Sequence, residues 1–199
     1  MTEVLRVNAS KPEAAKIKKA AAELKKGGLV VFPTETVYGL GASLLDKRAV
    51  EKIYEIKKRP KNKPLTVHVA DTASVRKIAG KIPAGAERLI KKYWPGPLTI
   101  ILRDSRGKKT GFRMPDNKIA FCLIKKAGVP VVAPSANISG NKPPTSAAEV
   151  LRDLDGKVDI VIDGGKTAIG IESTVVDMTG RSPKVLREGA IPKAEIERI

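Results

Sequence analysis

Three short stretches hold most of the side chains that could do chemistry. In GGLVVFPTETVYGLG, residues 27–41, the hydroxyl and carboxyl groups of Thr34, Glu35 and Thr36 follow Pro33 directly after the apolar run Leu29 to Phe32. In KKRPKNKP, residues 57–64, five cations fall within seven residues: Lys57, Lys58, Arg59, Lys61 and Lys63. In APSANISG, residues 133–140, small hydroxyl and amide groups again follow an apolar run and a proline. Cations beside hydrogen-bond donors suit phosphate. A glycine-rich turn and a solvated basic loop would use the same residue types.

The chain's single His68 and single Cys122 narrow the options. One chain cannot build a zinc site of the usual Cys/His composition, and a Ser-His-Asp site would have to use His68. Gly165-Lys166-Thr167 ends like a phosphate-binding loop, but Ile160 stands where that motif needs its first glycine. A Gly-x-Gly-x-x-Gly fingerprint is also absent. The remaining chemistry rests on hydroxyls, amides, carboxylates and cations.

These groups need a scaffold. The 199 residues are 42% hydrophobic, a globular composition long enough for one domain spanning 1–199. Lys and Arg number 38 against 21 Asp and Glu, a net charge of +17. That field attracts polyanions such as RNA or nucleotides. A lysine-rich thermophile surface is the alternative, although that habit enriches Glu along with Lys. No apolar run reaches membrane-spanning length and the start has no signal-peptide core. With one cysteine and hence no internal disulfide, a cytoplasmic protein is expected.

Periodicity supplies the elements. Ser10 and Glu13 have capping-box spacing before a helix burying Ile17, Ala20, Ala21 and Leu24, which Gly27-Gly28 stops. Leu29 to Phe32 reads as a strand buried on both faces, with Gly39 and Gly41 admitting close backbone behind it. Asp46 caps a helix carrying Ala49, Val50 and Ile53 inward. A strand at Leu65 to Ala70 follows the basic loop. Helices near 73–79 and 84–92, a turn at Trp94-Pro95-Gly96-Pro97 and a strand at Leu98 to Leu102 come next. Asp104 to Gly111 reads as a polar loop, and Asp116 as the cap of a helix to Ala127. Val129 to Ala133 is a second buried strand, able to lie beside the first so that both ends share a pocket. A helix from Thr145 or Ser146 to Leu154, strands at Val158 to Ile162 and to Met178, a segment at 185–190 that closes the core, and a short helix after Pro192 complete the chain.

Together the motifs FPTETVYGLG at 32–41, KKRPKNKPLTVH at 57–68, WPGPLT at 94–99, RMP at 113–115, APSAN at 133–137, GIESTVVD at 170–177 and LREGA at 186–190 resemble the YrdC family of threonylcarbamoyl-AMP synthases. They stand in the family's order and cover nearly the whole chain, which looks like the short, single-domain form. The resemblance implies an α/β fold: a twisted mixed β-sheet flanked by helices, with a large basic concave cavity. It implies formation of threonylcarbamoyl-adenylate and pyrophosphate from L-threonine, bicarbonate and ATP. A partner transferase would then modify adenosine 37 of tRNA. Magnesium would be bound mainly through ATP, with Glu35 and Glu172 as candidate carboxylates.

The family's Lys-x-Arg and Ser-x-Asn signatures fall on Lys57, Arg59, Ser135 and Asn137. By resemblance Lys57 and Arg59 face the triphosphate, with Lys63 adding charge. Ser135 lies near threonine and Asn137 near the nucleotide. Thr36, His68, Arg113 and Ser173 match positions around threonine, with Arg113 as the carboxylate clamp. Thr145 and Arg187 match nucleotide contacts; Thr145 could equally be a helix cap. Family members often carry a Thr four residues before the Arg of RMP, where this chain has Lys109, with Thr110 one residue later. Two other functions fit parts of the pattern: a module binding tRNA or double-stranded RNA without catalysis, and a carbamoyltransferase-type domain of hydrogenase maturation.

Overall fold

A computed structural model describes residues 1–180 and 182–198. In chain order its elements are β1 (Glu3–Arg6), α1 (Ala14–Lys25), β2 (Val30–Phe32), β3 (Gly39–Ser43), α2 (Lys47–Lys57), β4 (Thr66–His68), α3 (Thr72–Ala79), α4 (Ala84–Tyr93), β5 (Leu98–Arg103), β6 (Lys109–Arg113), α5 (Lys118–Ala127), β7 (Val131–Val132), α6 (Ala147–Leu154), β8 (Ile160–Asp163), β9 (Thr174–Asp177), β10 (Lys184–Arg187) and α7 (Lys193–Ile196). The strands form one mixed sheet in the order β1-β8-β2-β3-β7-β4-β6-β5-β9-β10. No helix among the described residues is long and apolar enough to cross a membrane.

The sheet is covered on both faces, so its central strands carry apolar side chains on each. In β2, Val30 and Phe32 pack with α1 and α5, while Val31 and the preceding Leu29 pack into the other layer with Ala49 and Ile53 of α2. Each fully buried side chain of this size contributes about 1.5–3 kcal/mol. α1 presents Ile17, Ala20, Ala21 and Leu24 to Ile119, Leu123 and Ile124 of α5, as its helical spacing requires.

Strand direction places the site. β2 and β7 both run antiparallel to β3, so they are parallel to each other and their carboxyl ends emerge at one edge. The two proline-led loops therefore meet there. They are not adjacent in the sheet, however, because β3 lies between them, and Gly39 of β3 bridges to Ser135. Gly39 and Gly41 belong to this strand and not to a turn. A Cβ on Gly41 would stand 2.8 Å from the Phe32 ring and 2.9 Å from the Val30 carbonyl.

Several local expectations are corrected. Ser10 does not cap α1: its N–H and hydroxyl donate to Asn8 Oδ1, while Glu13 takes the N-cap position and accepts from Asn8 N (2.9 Å). α5 is capped by Asn117, whose Oδ1 accepts from Ala120 N, and not by Asp116. The polar loop ends at Lys108, since Lys109 already pairs with Arg103 as the start of β6. β1 is an edge strand that periodicity did not single out. Asp46 and Ser146 do cap α2 and α6.

Candidate active site

The loop 33–38 is packed and not solvated. Thr34 Oγ1 donates to Val37 O (2.7 Å) and lies 2.9 Å from Thr36 Oγ1, and both threonines are buried. Neighbouring loops tie it down through backbone bonds. Tyr38 N donates to Pro144 O and Ala136 N to Tyr38 O. Ile169 N donates to Glu35 O and Gly170 N to Thr36 O. Tyr38 is buried and its hydroxyl donates to Gly165 O at 2.6 Å; burial pushes its proton affinity up to about 12. The segment 164–172 thus straps the threonine loop to the sheet edge.

Beside these loops opens a cleft of about 570 Å³, its mouth included. Arg59, His68, Arg113, Ser135, Ser173 and Arg187 all line it, with Thr66, Thr99 and Glu172. Secondary structure sets each position. His68 and Arg113 are paired residues of the parallel strands β4 and β6. Arg187 ends β10, and Ser173 immediately precedes β9.

Arg113 is buried; its Nη2 donates to Thr36 Oγ1 (2.7 Å) and lies 2.9 Å from Glu35 Oε2. Burial lowers its proton affinity, while the Glu35 carboxylate raises it. His68 is 3% exposed, and burial with the Arg113 charge depresses it to about 3, so the ring is neutral. Among the described residues, His68 Nδ1 and Glu35 Oε1 have no hydrogen-bond partner. Ser173 Oγ lies 2.8 Å from Thr99 Oγ1 and accepts from Arg187 Nη2 (3.2 Å). Arg187 also donates to the Ser173 carbonyl and to Glu172 Oε1 (2.8 Å). Arg59 donates through Nε to Lys63 O and through Nη2 to Pro64 O (3.0 Å each), which shapes the basic loop, and burial lowers its proton affinity. Three guanidinium groups therefore surround one cleft, against a single lining carboxylate.

Lys57, Lys63, Asn137, Thr145 and Thr36 do not line the cleft. Thr36 lies one hydrogen bond behind it, through Arg113. Lys57 Nζ donates to the Ser135 and Asn137 carbonyls (2.5 Å each), and burial brings it down to about 8. Asn137 Nδ2 donates to Ile138 O and Asn141 O. Thr145 precedes the α6 cap and binds Glu149 through its N–H and hydroxyl. Lys63 takes part through its carbonyl, which also accepts from Tyr54. Lys109 pairs with Asp177 (2.7 Å), while Thr110 lies one residue further along β6. Sequence reasoning gave no role to Tyr38, Thr99 or Gly189. Tyr38 and Gly189 lie within quoted motifs, but nothing in the motifs shows a phenol fastening a strap or a glycine lying against the Ser173 backbone.

A family model described as "Telomere recombination", covering Sua5, YciO and YrdC, matches residues 22–189. A Pyrococcus abyssi protein named threonylcarbamoyl-AMP synthase is 48% identical over 193 residues, which are 92% of this chain and 57% of that protein. The crystal structure of P. abyssi Sua5 complexed with L-threonine superposes with a TM-score of 0.95 at 46% identity, covering 99% of this chain and 60% of that one. Escherichia coli YciO superposes at 0.88 with 30% identity, covering 96% and 98%. The chain spans about half the length of the first curated relatives it matches.

Proposed function

The chain belongs to the Sua5/YciO/YrdC family, and on that premise we propose that it is a threonylcarbamoyl-AMP synthase, making threonylcarbamoyl-adenylate and pyrophosphate from L-threonine, bicarbonate and ATP. The observation that carries the reading is the convergence of Arg59, Arg113 and Arg187 with the Ser135 and Ser173 hydroxyls on one cleft. An amino acid carboxylate and a triphosphate are both anions, and arginine binds both in paired hydrogen bonds. The L-threonine in the similar Sua5 structure supports placing the amino acid here.

Threonine's carboxylate would lie on Arg113, near Ser135, Ser173 and neutral His68. Its free amine would attack the bicarbonate carbon, forming the N–C bond as one C–O bond breaks; that oxygen leaves as water, taking up a proton from the amine, and the carbamate remains. The carbamate oxygen would then attack the α-phosphorus, expelling pyrophosphate. Substrate supplies both nucleophiles, so the protein's work is alignment and charge neutralisation. Arg59 and Arg187 would face the phosphates, with Lys63, Asn137 and Thr145 at the nucleotide's periphery. Among the described residues no three His, Cys, Asp or Glu side chains gather to hold a metal. Glu35 and Glu172 are each engaged by an arginine. Magnesium, which the family resemblance implies, would arrive on the triphosphate and would neutralise phosphate charge there.

The net charge of +17 would favour affinity for tRNA or double-stranded RNA, and transfer to adenosine 37 of tRNA would need a partner transferase. The test is product analysis by mass spectrometry after incubation with ATP, L-threonine and bicarbonate. Threonylcarbamoyl-adenylate that requires all three supports the proposal. No product overturns it, and activity with carbamoyl phosphate instead would point to the carbamoyltransferase reading.

A further inference from the structure

Lys57 and Arg59 are two residues apart, yet the fold gives them different surroundings. Arg59 opens onto the cleft. Lys57, the last residue of α2, is 1% exposed, and its ammonium donates to the carbonyls of Ser135 and Asn137. Its own carbonyl accepts from Ser139 N (2.8 Å). The contact is therefore a cross-link from the end of a helix to both sides of one tight loop. Other bonds hold that loop's N–H groups: Ala136 N donates to Tyr38 O, and Ile138 N to Asp153 Oδ2. Among the described residues, Lys57 alone satisfies the Ser135 and Asn137 carbonyls.

The arrangement is costly. Burial makes the ammonium give up its proton near pH 8, although Glu172 and Asp153 raise its affinity. An ammonium has three donors and no acceptor, so it can hold two carbonyls at a fixed separation. An apolar side chain of that length would leave both unpaired. Between those carbonyls lies the segment that sets Ser135 into the cleft beside His68 and Arg113.

We propose that Lys57 is a positioning residue for the amino-acid half of the site, holding the Ser135–Asn137 loop by both carbonyls without touching the triphosphate. This rests on the synthase reading, and the test separates the two. Lys57→Met, Lys57→Arg and Arg59→Ala are compared with wild type by calorimetric titration of a non-hydrolysable ATP analogue and by threonine KM and kcat. Lys57→Met is expected to raise threonine KM about tenfold or more and to weaken the analogue by no more than about threefold, the small loss arising from Asn137 on the same loop, whereas Arg59→Ala shows the opposite balance. Lys57→Arg, which keeps the charge and donors, is expected to recover part of the loss. Should Lys57→Met not fold, Lys57→Arg alone must still show the same split in smaller measure. The proposal is overturned if Lys57→Met weakens the analogue as much as Arg59→Ala does, or leaves threonine KM unchanged. If wild type makes no product, the functional reading fails by itself. The cross-link is then read by amide exchange. Faster exchange at Ala136 and Ile138 in Lys57→Met, with Val67 unchanged, supports it, and unchanged exchange at all three removes it.

Discussion

The Arg113 guanidinium stands 2.9 Å from the Glu35 carboxylate, and their side chains are only 6% and 8% exposed. Two enclosed charges of opposite sign depend on each other more than on anything else nearby. Arg113→Ala should therefore act twice. It removes the carboxylate clamp, raising threonine KM. It also strands Glu35, costing about 3–5 kcal/mol of stability, as breaking an enclosed pair from one side does. Arg113→Met combined with Glu35→Gln should recover most of that stability while threonine binding stays lost. Urea unfolding of the three proteins measures it, and a loss below about 1 kcal/mol for Arg113→Ala would show the pair to be solvated.

His68 gives a pH dependence with a definite sign. Its folded-state proton affinity, near 3, lies below the ordinary histidine value of 6.5. The unfolded chain therefore binds a proton between those limits that the folded chain refuses. Stability is fully present above about pH 6.5 and falls on acidification, by up to about 1.4 kcal/mol per pH unit from this group. Carboxylates titrate over the same range, so the comparison is with His68→Gln, which does not titrate. Between pH 7 and 5 the wild-type urea midpoint should fall more steeply than the variant's. Equal slopes would mean that the ring takes up its proton in the folded state.

The signals that were legible in the sequence are those fixed by local rules. Alternate packing of Leu29, Val30, Val31 and Phe32 into two layers follows from an apolar run of strand length. Asp46 as a cap follows from its place before a helical pattern. What escaped depends on partners far along the chain. β3 looks like a turn because its glycines carry no periodicity; it is a strand because β2 and β7 supply ladders on either side. Lys109 reads as loop until Arg103 is known to lie opposite. The motifs brought Arg59, His68, Arg113, Ser135, Ser173 and Arg187 to one cleft. The direction of the Lys57 ammonium was not legible, since it is set by carbonyls about 80 residues away.

Gly189 is predicted to be intolerant of any side chain. A Cβ there would meet the Glu172 carbonyl oxygen at 2.2 Å and the Ser173 carbonyl carbon at 2.6 Å, both backbone atoms. Ala190 N already donates to Glu172 O (3.0 Å), so neither backbone segment can simply withdraw. Gly189→Ala should displace Ser173, disturb its bonds to Arg187, cost about 1–3 kcal/mol and raise threonine KM. Gly180→Ala, whose Cβ meets nothing closer than 3.8 Å, is the control and should stay within about 0.5 kcal/mol of wild type. Equal melting temperatures and KM values for the two variants would refute the close approach at Gly189.

Arg59 separates charge from shape. Its Nε and Nη2 each hold a carbonyl of the basic loop, Lys63 O and Pro64 O, at 3.0 Å, while the guanidinium also lines the cleft. Arg59→Ala removes the cation and both loop bonds. Loss of charge-assisted contacts worth about 1.5–3 kcal/mol should weaken an ATP analogue about 10- to 100-fold. Arg59→Lys keeps the cation, but a single ammonium on a flexible stem cannot reproduce a planar fork that grips two carbonyls and still faces a ligand. Its analogue affinity should fall between wild type and Arg59→Ala, with faster amide exchange at Lys63, whose N–H donates to Pro60 O. Full recovery of affinity by lysine would show that a point charge suffices and that the fork serves only the loop. Failure of lysine at low salt, where a point charge acts most strongly, would show that phosphate recognition depends on the guanidinium's geometry.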